Sequence, residues 1–327
     1  MMRLATDEQG QELFDVCEQR FGFRILGSEA IVRGWLNRKW KLTTTKGVYL
    51  LKSYHPDRYR LYNESALKRA LHWQVELHTL GLLCPQILTH REEQLQVTAS
   101  GQRFVVMTFC HGDRMVPGRA SMQEMYSLGI ATGQMHAALL SLGGVPTEAT
   151  FFIPSVSERT NHWVQVLLAM ETSGKQHLFP FAMRQLRATE SFDIGAFEGA
   201  EIGWAHRDLW ADNILVADDR LSAILDFDRV NRDYLELDVA RAIISGALDG
   251  VAFNVPAARA FLDGYRTQRN FTVGRIVQSL RMLWYAESNS WITENMDTHT
   301  VPPQRFAHEM DWLARHLHQL PVMVSRC

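Results

Sequence analysis

The stretch His206-Arg207-Asp208-Leu209-Trp210-Ala211-Asp212-Asn213, followed by Ile224-Leu225-Asp226-Phe227-Asp228, decides how this chain reads. It has the form H-x-D-x-x-x-x-N, then a hydrophobic run that ends in an acidic pair. Phosphoryl transfer from a nucleotide asks for such a set. One carboxylate orients or receives the proton of an attacking hydroxyl, while an amide and a second carboxylate hold magnesium against the phosphates. Asp208 and Asn213 lie five residues apart, a spacing that suits a short loop aiming both side chains at one nucleotide. Ile214-Leu215-Val216 reads as a buried strand, Asp218-Asp219 as a turn, and Leu221 to Leu225 as the returning strand. That hairpin would bring Asp226 back beside Asn213, and their oxygens are of the hard type that magnesium prefers. An isolated aspartate in a hairpin is usually a turn former or a cap. Here the order and spacing of several such residues carry the reading.

A second element should hold the phosphates. The chain has no G-x-x-x-x-G-K-[ST] loop and no G-x-G-x-x-G, which argues against P-loop and dinucleotide folds and against an ordinary protein-kinase glycine loop. Between Phe23 and Tyr54 the pattern is strand-rich. Ala30-Ile31-Val32 and Trp40 to Thr44 read as two strands around the segment 33–38, and Val48-Tyr49-Leu50-Leu51-Lys52 as a third after the Lys46-Gly47 turn. Lys52, at the end of an apolar strand, can reach α- and β-phosphates. The plainer reading is an edge-strand lysine that discourages aggregation.

With these pieces in place the chain resembles the aminoglycoside phosphotransferase and choline kinase superfamily, which also contains type II homoserine kinases and spore-coat kinase-like proteins. The matching segments are Gly34 to Trp40, Tyr49 to Lys52, Val105 to Phe109 before His111-Gly112, Leu128-Gly129 with Met135-His136-Ala137, the catalytic run, Asp226-Phe227-Asp228, Leu237 to Ala240 and Phe261 to Arg266. The resemblance spans roughly residues 20 to 320. It implies an α+β, bilobal protein-kinase-like fold: a small antiparallel-sheet N-lobe with one long helix over residues 1–109, and a larger, mainly helical C-lobe over 110–327. By the same resemblance Asp208 is the catalytic base, and Asn213 and Asp226 hold Mg2+, with Asp228 as a candidate second-metal ligand. Lys52 would contact the phosphates of ATP or GTP, Asn37 would belong to the nucleotide loop, and Met107 to Phe109 would line the adenine pocket through backbone groups. His206 would support the loop, and Arg207 would pair with a buried carboxylate such as Asp238. Kinase-like folds pair the strand lysine with a glutamate midway along the next helix, read here from Asn63 to Leu80. That neighbourhood holds Arg69, Ala70 and Leu71; the helix acids are Glu64 and Glu76, of which Glu64 is the better candidate.

Composition sets outer bounds. The chain has 327 residues, enough for two lobes with their own cores. Formal charge is −2, so no global basic field draws nucleic acid. The first residues lack the apolar core of a signal peptide and no apolar run approaches 18 residues, so a cytoplasmic protein without a membrane partner is expected. Cys17, Cys84, Cys110 and Cys327 are scattered and form no metal pattern, as for reduced thiols. Ser121 to Leu142 reads as a helix with a capping box at Ser121 and Glu124. Residues 158–190 and 256–320 read as further helices.

The expected activity is transfer of the γ-phosphoryl group to the hydroxyl of a small molecule, an amine-bearing metabolite or an aminoglycoside by family likeness. Trp163, Trp284, Tyr285, Glu287, Trp291, Glu294 and Asp297 could bind a cationic amine through ring faces and charge. They could equally be core aromatics and solvated acids. A protein kinase is disfavoured by the absent glycine loop and the absent A-P-E segment. A non-catalytic scaffold or coat protein on the same fold stays open, since fold alone does not settle function.

Overall fold

The computed structural model describes residues 8–32 and 37–325. In chain order the elements are α1 (Glu8–Phe21), β1 (Ile25–Ala30), β2 (Arg38–Thr44), β3 (Gly47–Ser53), α2 (Pro56–Tyr59), α3 (Glu64–Thr79), β4 (Gln96–Val97) and β5 (Arg103–Thr108). There follow β6 (Asp113–Arg114), α4 (Met122–Gly143), α5 (Val156–Thr172), α6 (Phe179–Glu190), β7 (Ile202–Ala205), β8 (Ile214–Ala217), β9 (Arg220–Ile224) and β10 (Asn231–Tyr234). The chain continues with α7 (Leu235–Ala247), α8 (Val255–Arg266), α9 (Val273–Trp291), α10 (Pro303–His316) and α11 (Leu320–Val324). Two units result: the chain up to Gly112 together with Ser222–Val230, and Asp113–Leu221 together with the chain from Asn231 onward. The fold is α+β, with an antiparallel sheet in the first unit and a mainly helical second unit.

The sheet of the first unit runs β1-β2-β3-β5-β4, with every pairing antiparallel. The apolar run Phe104-Val105-Val106-Met107 has no polar face because β5 is buried on both sides. Phe104 and Val106 meet α1 through Leu13, Phe14 and Cys17, with Trp40, Leu42 and Leu51 beside them. Val105 and Met107 face the other way, into a core with Leu67 and Leu71 of α3. Helix α3 is set by its ends: the Asn63 side chain accepts the Ala66 N–H, and Leu80 closes the last turn. The first strand lies at Ile25–Ala30 rather than at Ala30-Ile31-Val32. It is an edge strand with mostly exposed side chains, so no apolar alternation marks it in the sequence. Part of the expected nucleotide loop, residues 33–36, lies outside the described residues.

In the second unit α4 begins with the expected capping box, in which Ser121 and Glu124 exchange side-chain and backbone hydrogen bonds. Its glycines set how α8 packs. A Cβ on Gly129 would stand 2.0 Å from the Phe261 carbonyl oxygen, and one on Gly264 would stand 2.1 Å from that of Tyr126. Backbone atoms cannot yield as a flexible side chain can, so the two helices touch only because both positions are glycine. Gly129→Ala should therefore destabilise the protein by about 1–3 kcal/mol, or prevent the helices from seating. A thermal melt checks this, and an unchanged Tm contradicts the close-contact account.

Candidate active site

The helix contact places His136 of α4 against Tyr265 of α8, with Nδ1 2.9 Å from the phenol oxygen. The other ring nitrogen, Nε2, lies 3.1 Å from Oδ2 of Asp238, on α7. Asp238 in turn accepts the backbone N–H of His206 at 2.6 Å and that of Arg207 at 2.8 Å. Burial alone would raise its pKa. The hydrogen bond and charge of His136, with help from His206 and the Arg207 N–H, hold it below the usual carboxylate range. Asp238 thus anchors the loop that carries the motif.

The expectation for Arg207 changes in one respect. Asp238 takes its backbone N–H, while its guanidinium pairs with Asp233 of β10, Nε to Oδ2 at 2.8 Å. The two carboxylates hold Arg207 at a φ of 64°, a left-handed conformation that a non-glycine residue keeps only when its surroundings impose it. Asp238→Asn would present an amide N–H to one of the two backbone donors, leaving that donor buried without an acceptor. A loss of about 2–4 kcal/mol is expected at neutral pH. Because the folded pKa of Asp238 is lowered, its stabilisation is present above an ordinary carboxylate pKa of ~4 and is lost as pH falls through the folded value. Denaturant unfolding should show the gap to wild type narrowing in acid. A gap constant with pH contradicts the anchor.

Next to Arg207, Asp208 is buried. The Asn213 amide nitrogen donates both to the Asp208 backbone carbonyl and to its Oδ2, each at 2.9 Å. This orients the amide, so that its oxygen is the end left for another partner. Trp210 stacks on Phe306 of α10 at 4.4 Å, and the Ala211 N–H binds the Ser245 hydroxyl at 2.8 Å. Asp212 pairs with Arg305, which also approaches Glu309 at 3.4 Å. Arg241 pairs with Glu309 at 2.6 Å and with Glu287 at 3.2 Å. The result is an alternating chain of charges, Glu287–Arg241–Glu309–Arg305–Asp212, tied to the motif loop. Its members come from three helices and one loop, and only Arg305 and Glu309, four residues apart, carry a local signal.

In the first unit Lys52 is buried, with Nζ 2.7 Å from Oδ1 of Asp226 and 2.6 Å from Oδ2 of Asp228. Tyr54 donates its hydroxyl to Oδ1 of Asp228 at 3.1 Å, and the Tyr62 hydroxyl lies 3.4 Å from Oδ2. Burial works against the ammonium, but the two carboxylates raise the Lys52 pKa well above normal. Burial also works against Asp226 as an anion, yet Lys52 holds its pKa below the usual range. For Asp228 burial prevails and, with the neighbouring charge of Asp226, raises the pKa. One ammonium stands between the two carboxylates, and the charges of Lys39 and Arg58 also favour Asp226 as an anion. Asp226 is the more exposed of the pair and has one oxygen not engaged by Lys52. It also sits at a φ of 63°. Both oxygens of Asp228 already face donors.

Other expected site residues fall as follows. Glu64, in the first turn of α3, pairs with Lys68 at 3.1 Å, while Lys52 draws its charge partners from Asp226 and Asp228. Asn37 is buried and accepts the His55 backbone N–H at 3.1 Å. Met107 is buried in β5, and the Phe109 N–H is engaged by the Val48 carbonyl. Trp163, Trp284 and Tyr285 are core residues; the indole N–H groups bind Thr189 and Gln185, and the Tyr285 hydroxyl binds the Pro154 carbonyl. Asp297 pairs with Lys175 at 2.8 Å, and Glu294 accepts from Asn295. Trp291 donates to Glu287 at 3.0 Å beside the charge chain.

Comparison with known proteins bears on the family and the fold. Residues 28–271 match the model of the phosphotransferase enzyme family. A homoserine kinase of Rhodopseudomonas palustris strain BisB5 is 27% identical over 277 residues, covering 82% of this chain and 78% of its own. One from Bradyrhizobium diazoefficiens is 26% identical over 325 residues, covering 95% and 91%. Among solved structures, spectinomycin phosphotransferase with ADP and spectinomycin aligns with a TM-score of 0.62 at 14% identity, over 94% of this chain and 98% of that one. An aminoglycoside phosphotransferase from Alicyclobacillus acidocaldarius aligns with a TM-score of 0.62 at 14% identity, over 100% and 98%. At such identities the structures speak to the fold alone.

Proposed function

Because this chain belongs to the phosphotransferase enzyme family, we propose that it transfers the γ-phosphoryl group of ATP or GTP to the hydroxyl of a small zwitterionic acceptor, with homoserine the first candidate. The observation that carries the reading is the clamp of Asn213 on Asp208, on a loop anchored by Asp238. Asp208 accepts the proton of the acceptor hydroxyl as the oxygen attacks. The Asn213 amide oxygen and the remaining Asp226 oxygen are the hard donors suited to Mg2+, which when bound neutralises phosphate charge. Lys52 supplies a fixed positive charge for the phosphates, and Asp228 keeps it in place through the pairing described above. Asp228, with raised pKa and both oxygens engaged, fits this holding role better than that of a metal ligand. Asn37 orders the chain at His55, and the backbone from Met107 to Phe109 lines the adenine.

The charges beside the motif loop are of both signs, with one more acid than base. Around Trp210, Phe306 and Trp291 stand two guanidiniums, Arg241 and Arg305, among the carboxylates Glu287, Glu309 and Asp212. Charges of both signs suit an amino acid, whereas a polycationic aminoglycoside calls for a clear surplus of acids. Phosphorus NMR of a panel of homoserine, choline, ethanolamine and kanamycin, each with Mg·ATP or Mg·GTP, tests this. Homoserine should give the highest kcat/KM. Preference for kanamycin or choline would overturn the zwitterion reading, and no phosphorylated product from any acceptor would count against this acceptor class.

A further inference from the structure

Among the described residues three lysine or arginine side chains are buried, and two of them have carboxylates. Lys52 has Asp226 and Asp228, and Arg241 has Glu309 and Glu287. The third, Arg159 on α5, is only 4% exposed and has no carboxylate within ion-pair distance among the described residues. Its guanidinium lies 4.9 Å over the ring of Tyr285 on α9 and shares a hydrogen bond with that phenol. Burial raises the phenol pKa, so this partner is neutral. The adjacent Glu158 turns its carboxylate back onto Ser155, accepting the N–H and the hydroxyl, each at 2.7 Å. Burial therefore lowers the Arg159 pKa with no anion to offset it. At Arg241 burial works in the same direction, but Glu287 and Glu309 outweigh it.

Two ring or guanidinium nitrogens here are enclosed without an acceptor, Nε of Arg159 and Nε2 of His162. Residues three apart share one face of a helix. Burial and the Arg159 charge lower the His162 pKa, so its ring is neutral near pH 7 and can present an Nε2–H as a second donor. A buried cation with no counter-charge destabilises a fold, and such a violation is expected where a ligand supplies the opposite charge.

Both elements that hold Arg159 are fastened to the motif loop. Ahead of α5, the Thr150 N–H donates to the Arg232 carbonyl at 2.8 Å, and the Phe151 N–H donates to the Asp233 carboxylate. Asp233 is the acid that holds the guanidinium of Arg207, next to Asp208. Tyr285 donates its hydroxyl to the Pro154 carbonyl at 2.8 Å, fixing the same segment to α9. Helix α9 also carries Glu287, the partner of Arg241, whose charge is felt by Asp208.

We propose that Arg159 binds the carboxylate of the acceptor and so sets specificity for an amino acid, an inference that rests on the amino-acid reading of the acceptor given above. A guanidinium fork matches the two oxygens of a carboxylate. The charge chain beside the motif loop, with its one extra acid, suits the ammonium of the same molecule.

Calorimetric titration of the full chain, with Mg·AMP-PNP present, compares L-homoserine with 3-aminopropan-1-ol, which is homoserine without its carboxylate. The wild type should bind homoserine about 10–100-fold more tightly, the effect of a charge-assisted hydrogen bond. Arg159→Gln should lose most of that preference. Arg159→Met, an apolar replacement suited to a buried position, should do the same if the glutamine variant fails to fold. Without ligand, the Tm of either variant should be unchanged or raised, since an uncompensated cation has been removed. Equal affinity of the wild type for the two ligands, binding of neither, or a preference kept in the variants would each overturn the proposal. So would a lowered Tm with both ligands weakened together, the mark of a structural arginine. Carboxylate-dependent binding that the variants lose, without phosphoryl transfer to homoserine, would uphold Arg159 as the anchor and count against the proposed activity. Transfer to homoserine with the preference intact in the variants would do the reverse.

Discussion

Asp208→Asn is expected to lower turnover by about 10²–10⁴-fold, the range for removal of a positioned general base, with nucleotide affinity nearly unchanged. The substitution removes the carboxylate proposed as proton acceptor and keeps the shape. An amide at position 208 can still offer an oxygen to the Asn213 side-chain nitrogen, and the second contact of Asn213, to the backbone carbonyl, does not depend on the side chain. The loop also keeps its anchors at Asp238 and Ser245. Steady-state kinetics with a measured nucleotide Kd check this. A variant with most of its turnover would remove Asp208 from the role of base; a variant that has lost nucleotide binding would show that the residue positions rather than reacts.

Asp226→Asn should be as damaging to catalysis by a different route. It removes a carboxylate whose pKa is held down by Lys52, with Lys39 and Arg58 adding to the effect. Loss of outer partners of a metal typically costs ~10–100-fold in affinity or activity, and loss of a ligand oxygen should cost at least that in apparent Mg2+ affinity. Magnesium titration of activity at fixed ATP checks this, and unchanged magnesium dependence contradicts the ligand role. Stability supplies a second readout. A depressed carboxylate pKa stabilises the fold above ~4 and ceases to do so as pH falls through the folded value. The stability difference from wild type should therefore be largest near neutrality and shrink in acid. Asp228, whose pKa is raised, takes up its proton at higher pH and lies outside that window.

Much of this was legible in the sequence because the signals were local. Asn63 and Ser121 carry the capping chemistry of α3 and α4, and the Asp218-Asp219 turn takes the positive φ angles of 49° and 61° that join β8 to β9. Asp208 and Asn213 lie only five positions apart, and the structure draws the two together. What the sequence does not reveal depends on distant partners. Nothing local distinguishes Asp233 from Asp238 as the acid for the Arg207 guanidinium; the β7–β10 pairing decides it. Lys52 lies 174 residues from Asp226 and 176 from Asp228, so the next helix offers it only local acids such as Glu64, which an i, i+4 pairing with Lys68 engages instead. The Arg241 chain is similarly assembled from helices far apart in sequence, and an edge strand such as β1 leaves no apolar pattern to read.

The most direct test of the central claim follows the label from γ-³²P-ATP, with magnesium and homoserine, through the wild-type chain and Asp208→Asn. The account predicts acid-stable labelled phosphohomoserine from the wild type and almost none from the variant, with both binding nucleotide. Equal label transfer by the two proteins, or nucleotide binding without transfer to homoserine or any other hydroxyl acceptor, would contradict it.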